Sequence, residues 1–159
     1  MTRKYLSLLI IILIIFSIAG CSSASKYTIY FETNGGSFVD PIRTNGKSIT
    51  SLPNDPYKEG YMFSGWFYDN LHFIEPFTAD SLLKRPINDD LTLYANWNIN
   101  QYTISFAVDG GNDIDSITQD FDTKVIAPIP TKYGYTFSGW FTDALKTKPY
   151  SFSKMPAAD

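Results

Sequence analysis

Gly60-Tyr61-Met62-Phe63-Ser64-Gly65-Trp66-Phe67 occurs again, 74 residues further on, as Gly134-Tyr135-Thr136-Phe137-Ser138-Gly139-Trp140-Phe141. The two octets sit inside longer copies. Upstream, Tyr27-Thr28-Ile29-Tyr30-Phe31 and Gly35-Gly36 return as Tyr102-Thr103-Ile104-Ser105-Phe106 and Gly110-Gly111. Downstream, Pro76-Phe77 returns as Pro149-Tyr150. A tandem duplication of this length implies two structural units rather than one large core, and it favours a modular surface protein over an enzyme.

Each copy reads with the period of a strand. Tyr27, Ile29 and Phe31 alternate with Thr28, Tyr30 and Glu32, and Tyr102, Ile104 and Phe106 alternate with Thr103 and Ser105. Asn34-Gly35 and Asp109-Gly110 follow, dipeptides suited to turns that need positive φ. A second strand is expected over 48–52 and 124–127, closed by Pro53 and Pro128. In the third strand Tyr61, Phe63, Gly65 and Phe67 alternate with Met62, Ser64 and Trp66, and Gly65 marks a bulge or a close backbone approach. Leu91, Leu93, Ala95 and Trp97 give a fourth strand in the first copy alone. Residues 81–84 have room for one helical turn before Pro86. The expected domains are 27–98 and 101–159, with Asn98-Ile99-Asn100 as a linker too short for free jointing.

The string Tyr-Thr-Ile-x-Phe, Gly-Gly, Lys-x-Gly-Tyr-x-Phe-x-Gly-Trp-Phe and Leu-Thr-Leu-Tyr-Ala-x-Trp resembles the Listeria–Bacteroides repeat, also called the internalin B-repeat. The resemblance covers 27–97 fully and 102–159 in part. It implies a mainly β, small α+β fold: two tandem β-grasp-like (ubiquitin-like) modules of a kind found on bacterial cell-surface proteins and read as stalks or adhesion units. It transfers no catalytic residue. Modules of about 70 residues are near the lower limit for an independent core. Twelve Phe, eleven Tyr and three Trp offset that small size, with Trp66, Trp97 and Trp140 expected in the core or against the sheet.

The first twenty residues read as a leader. Arg3 and Lys4 precede an apolar run from Leu6 to Gly20, short of the ~20 apolar residues that span a bilayer. The run ends in Ile18-Ala19-Gly20-Cys21, which resembles a bacterial lipobox. That resemblance makes Ile18, Ala19 and Gly20 the signal-peptidase recognition residues and Cys21 the lipidated N-terminus. Cys21 is the single cysteine, so no intrachain disulfide can form. Residues 21–26 would then be a short tether, its five residues after Cys21 reaching at most ~18 Å. The expected location is the cell envelope, lipid-anchored to the outer face of the bacterial cell membrane. Without Arg3 and Lys4, the 13 basic residues fall to 11 against 16 acidic ones, a formal charge of −5. That acidity argues against nucleic acid as a partner.

The residues for common site chemistries do not assemble in the sequence. His72 is the lone histidine, has no counterpart in the second copy, and reads as a solvated loop residue. Asp109, Asp113, Asp115, Asp120 and Asp122 lie within fourteen residues but lack the spacing of an EF-hand loop. Gly35-Gly36 lacks the Gly-Lys-Ser/Thr of a phosphate loop. No catalytic residue, metal ion or cofactor is expected. Tyr30, Tyr68 and Tyr94 are the candidate interaction aromatics, for stacking on a glycan or docking a protein, unless they cover the second face of a thin sheet.

The second copy reaches Asp159, the counterpart of Asp90, and Leu-Thr-Leu-Tyr-Ala-x-Trp does not follow. Either the sequence is part of a longer repeat array, or this copy keeps an open sheet edge for a strand-donating partner. Three functions compete at this point. The first is a non-catalytic lipoprotein presenting its repeats as an adhesion or stalk module. The second is a ligand-binding lipoprotein that captures a glycan or peptide. The third is an envelope hydrolase, with only unpaired carboxylates behind it.

Overall fold

A computed structural model describes residues 24–158. Ile18, Ala19, Gly20 and Cys21, with the rest of the leader, lie outside the described residues. The first repeat holds β1 (Tyr27–Glu32), β2 (Ile42–Thr44), β3 (Tyr61–Phe67), β4 (Pro76–Phe77), α1 (Ser81–Lys84) and β5 (Leu91–Ile99). These strands form one sheet in the order β2-β1-β5-β3-β4. β1 and β5 run parallel, with Ile29 opposite Leu91 and Phe31 opposite Leu93, and the remaining pairs are antiparallel. The last strand in sequence is therefore the middle strand of the sheet. This mixed, mainly β sheet is the β-grasp-like arrangement implied by the resemblance, with its helical content reduced to the single turn α1.

The alternating residues sort as hydrophobic burial demands. Ile29, Leu93, Ala95 and Trp66 are buried on the inner face, and Leu82 of α1 packs under them. Each fully buried side chain of this size contributes about 1.5–3 kcal/mol. Aromatic rings extend the core. Trp66 lies 4.7 Å from Phe31 and 5.2 Å from Phe63, and Phe63 lies 5.4 Å from Trp97.

Gly65 produces the bulge. Its φ is +124° and the β3–β5 register shifts between Phe63 and Gly65. The bulge also reverses the simple alternation expected for β3. Trp66 joins Phe63 on the inner face, while Phe67, opposite Tyr94, turns to the outer face. Phe67 is nevertheless buried there, with the ring of Phe73 at 5.5 Å.

The second strand lies earlier than expected. β2 is Ile42–Thr44, and 48–52 is irregular. The Ser and Thr of 48–52 mimic a strand's composition, but Thr44 accepts the structural role. Its hydroxyl donates to Ser48 O and accepts from Gly46 N, turning the chain away from the sheet. The linker is also shorter than expected. β5 continues through Asn98 and Ile99, leaving Asn100 alone before β6 (Gln101–Ile104).

That single residue is tied down on both sides. Asn100 N donates to Gly60 O, and Phe121 N donates to Asn100 O. Phe121 also packs its ring edge against Tyr61 and Tyr102, at 6.0 and 6.3 Å, and covers Gly60. The two repeats thus share an aromatic joint.

The second repeat has β6, β7 (Ile117–Asp120), β8 (Trp140–Phe141) and β9 (Pro149–Tyr150). They form two separate two-stranded sheets, β6-β7 and β8-β9. β7 stands 75 residues after β2 and pairs with β6 as β2 pairs with β1. Again the expected 124–127 is not a strand; Lys124 makes only an isolated bridge to Lys154. Met155 follows Pro149 by six residues, as Leu82 follows Pro76, and is likewise buried. Among the described residues, no helix is long and apolar enough to cross a membrane.

Candidate functional site

The two sheets of the second repeat are separated where β5 lies in the first. A groove of about 690 Å³ opens there. One wall is Ala107 and Val108, just past β6, and the other is the whole stretch 135–141. In the first repeat the counterparts of these walls, β1 and β3, both pair with β5. With no such neighbour among the described residues, only Trp140 and Phe141 of 135–141 are strand-paired, and Tyr135 and Phe137 are 73% and 37% exposed.

The walls nevertheless keep their spacing. Phe106 and Trp140 stand 4.8 Å apart at 50°, against 4.7 Å and 59° for Phe31 and Trp66. Phe137 and Trp140 stand 5.2 Å apart at 65°, against 5.2 Å and 63° for Phe63 and Trp66. The loop ties recur as well. Lys132 Nζ donates to Asp109 O as Lys58 Nζ donates to Asn34 O, and each ammonium sits over the tyrosine three residues on, Tyr135 and Tyr61. Asn112 N donates to Thr131 O as Ser37 N donates to Tyr57 O.

Of the three candidate tyrosines, two come together. Tyr30 is opposite Thr92, and Tyr94 is opposite Glu32 on one side and Phe67 on the other. Tyr30 and Tyr94 are thus diagonal neighbours on the outer face, Tyr30 at 47% exposure. Tyr68 is elsewhere. Its ring packs on Phe77 at 5.5 Å and under the Arg85 guanidinium at 5.0 Å. Burial pushes the Tyr68 hydroxyl above its ordinary pKa, opposed by a hydrogen bond with Ser81. Tyr68 belongs to the edge of the core.

His72 lies in an exposed loop and its backbone N donates to Asp69. The acidic cluster does not converge. Asp109 pairs with Lys146 at 2.8 Å, Asp122 with Lys154 at 2.7 Å, and Asp120 accepts from Gln101. Among the described residues no three His, Cys, Asp or Glu side chains gather as a metal set.

Sequence reasoning passed over Asp69 and Asp143. Asp69 accepts backbone N–H groups of Leu71, His72, Phe73 and Ile74, and Asp143 accepts those of Thr147 and Lys148 with the Thr147 hydroxyl. The His72 N–H leads in holding the Asp69 carboxyl below its ordinary range, and the Thr147 hydroxyl does so for Asp143. The signal was present: an Asp follows Trp-Phe by two residues in both copies.

Comparison with known proteins agrees with this geometry. Residues 27–96 and 102–159 each match the Listeria-Bacteroides repeat domain. Two similar proteins come from Evansella cellulosilytica. One, named as a Gly-rich membrane protein, is 37% identical over 131 residues, which cover 80% of this chain and 14% of the relative. The other, named as a membrane protein, is 36% identical over 127 residues, covering 79% and 18%. Internalin H of Listeria monocytogenes is 34% identical over 137 residues, covering 84% of this chain and 24% of internalin H. The chain thus spans less than a quarter of the length of these relatives. With both repeats matched over nearly all the described residues, the chain belongs to the Listeria-Bacteroides repeat domain family.

Proposed function

We propose that this is a non-catalytic bacterial surface protein, anchored by a lipid on Cys21, that presents its repeats as a closely coupled stalk or adhesion unit. The observation that carries the reading is the joint at Asn100. One residue connects β5 to β6, and hydrogen bonds to Gly60 and from Phe121 fix it. A spacer needs modules that hold their mutual orientation, whereas a flexible tether would need a long polar linker. The membrane-protein and internalin names of the relatives support an envelope location. Family membership supports a binding or structural role over catalysis. Two or three acyl chains, at ~0.8 kcal/mol per buried CH₂, would hold such a chain stably at the bilayer.

The test is the intact mass of the protein extracted with detergent from its own membranes. The anchored reading requires loss of the leader and an added acyl mass at Cys21. A chain that retains Arg3 and Lys4, or carries an unmodified Cys21, removes the anchor from the proposal. A second reading, capture of a glycan or peptide, draws on Tyr30 and Tyr94 standing together on the outer face of the first repeat. A glycan array probed with the protein and with Tyr30→Ala/Tyr94→Ala tests it. Signal that survives the double substitution would sink this second reading.

A further inference from the structure

We infer, building on the proposed Cys21 anchor, that the end of the first repeat where β1 begins rests on the lipid bilayer. Leu71, Ile74 and Leu83 dip among the lipids there, and Lys47 and Lys84 face their phosphates. The tether sets the distance. β1 starts at Tyr27, and the five residues after Cys21 reach at most ~18 Å. A bilayer that holds Cys21 therefore lies within that reach of the start of β1. Topology decides which loops share this end. β5 starts beside β1, with Asp90 Oδ1 accepting from Thr28 N. Ile87 N donates to Gly46 O, which brings 45–47 and 85–90 together. β3 runs antiparallel to β5 and so leaves toward the same end. Its following loop is tied in by the Arg85–Glu75 pair at 3.0 Å.

The residues at this end suit a membrane interface. Leu71, Ile74 and Leu83 are 76%, 79% and 66% exposed, on the two segments that the Arg85–Glu75 pair joins. Asp69 fixes the shape of the first segment by accepting four backbone N–H groups, while Phe73 turns back onto Phe67. Leu71 and Ile74 are left pointing outward. Exposed aliphatic side chains beside cations are the pattern of an interfacial contact. The carboxylates here are engaged within the repeat: Glu75 with Arg85, Asp90 with Thr28 N, Asp89 with Asp90 N. Lys47 and Lys84 are exposed and form no ion pair among the described residues, which leaves their ammonium groups for lipid phosphates. The second repeat, farther along the chain from Cys21, supplies an internal comparison. Its loop closes with Thr142 N on Lys148 O as Tyr68 N closes on Glu75 O, and Lys146 shares the positive φ of Phe73. In that register Thr147 replaces Ile74, and counting from the buried pair Leu82 and Met155, Pro156 replaces Leu83. Leu145 alone stays apolar and exposed in that loop. The copy beside the anchor thus carries the more apolar end.

The test uses the full chain in its own membranes, loaded with a photoactivatable phospholipid. Illumination attaches the lipid to the side chains it touches, and peptide mass mapping locates the adducts. The expected result is an adduct yield on 71–74 and 83–85 about tenfold above that on 142–148. The double variant Leu71→Asp/Ile74→Asp should lower the yield at 71–74 about fivefold, and the exposure of both side chains lets the repeat keep its fold. After reconstitution, Lys47→Glu/Lys84→Glu should lower the yield in vesicles rich in anionic lipid and leave it unchanged in zwitterionic ones. Equal yields on the two repeats overturn the inference. The mass of the Cys21 peptide from the same sample separates this face from the anchor. Adducts confined to 21–26 on a chain with acylated Cys21 keep the anchor and refute the resting face. Adducts at 71–74 on a chain with unmodified Cys21 refute the lipid anchor and keep the face, held down then by the apolar run from Leu6 to Gly20. A chain without lipid adducts refutes both.

Discussion

Gly36→Ala should destabilise the first repeat, while the matched Gly111→Ala should leave the second nearly unchanged. Gly36 has an ordinary backbone conformation, so the substitution is not strained by φ. Its difficulty is the neighbour: an ideal Cβ would stand 2.5 Å from Trp97 Cζ2 and 3.1 Å from Cη2. The indole cannot give way freely. Nε1 donates to Thr33 O at 2.9 Å, and Phe63 packs edge-on at 5.4 Å. Pushing the ring out forfeits a hydrogen bond of ~0.5–1.5 kcal/mol and an aromatic pair of similar size. Alanine returns ~0.4–1 kcal/mol by restricting the unfolded chain. The net loss is about 1–2 kcal/mol, or roughly 5–15 °C in the melting temperature of a domain this size. At Gly111 the same Cβ meets two carbonyl oxygens at 3.1 and 3.2 Å and Pro130 Cβ at 3.7 Å, with no aromatic atom among these nearest neighbours. A mild squeeze there opposes the entropic gain, and the change should stay within ~1 kcal/mol. Urea melts of both variants, followed by tryptophan fluorescence, measure the difference. Equal losses at the two glycines would refute the argument, because only one of them faces a tryptophan.

Gly60→Ala should loosen the joint between repeats: Gly60 has a φ of +75° and its Cβ would collide with the Phe121 ring. Small-angle scattering should show a broader distance distribution for this variant, and an unchanged profile would count against a rigid joint. The Asp69 carboxyl is held below its ordinary 3.8 by hydrogen bonds led by the His72 N–H. A depressed folded pKa contributes stability above the unfolded value, and that contribution is lost as pH falls below about 3.8. An NMR titration should therefore give Asp69 a midpoint under 3.8, and Asp69→Asn should remove this part of the acid dependence of the 70–75 loop. Pulled between Tyr27 and Asp159 in a force spectrometer, this stretch should show a stronger first repeat than second, and equal rupture forces would contradict a load path through the parallel β1–β5 ladder.

Much of the first repeat is legible because its strands are half-buried and their alternation survives in the residues. Tyr27–Glu32, and β5 as far as Trp97, are read from period two alone, whereas Asn98 and Ile99 pass for linker. Ile42-Arg43-Thr44 is not, because three residues between Pro41 and Asn45-Gly46 carry too little pattern. Its pairing with β1 comes from tertiary contact. The inversion at Trp66 was hidden for another reason. Gly65 announces a bulge, but the sequence does not say that the extra residue moves Trp66 inward and Phe67 outward. Asp69 and Asp143 were legible as a repeated letter and were overlooked because loop-organising carboxylates have no hydrophobic signature. The groove of the second repeat was visible only as an omission. Its width needed coordinates.

The position of β5 links the assembly of a repeat to the way it carries load. β1 enters the first repeat and β5 leaves it, and the two lie side by side in parallel. Tension applied at the start of β1 and the end of β5 slides one strand along the other, so their ladder bonds are stressed together rather than one after another. β5 is also held on its far side by β3 over six paired positions from Tyr61 to Phe67. A module closed by its last strand is therefore strongest along the axis on which a surface spacer is pulled. The second repeat has no strand in that position among the described residues, so β6 pairs with β7 alone. Among the described residues, tension on β6 therefore passes through the four paired positions of the β6–β7 ladder.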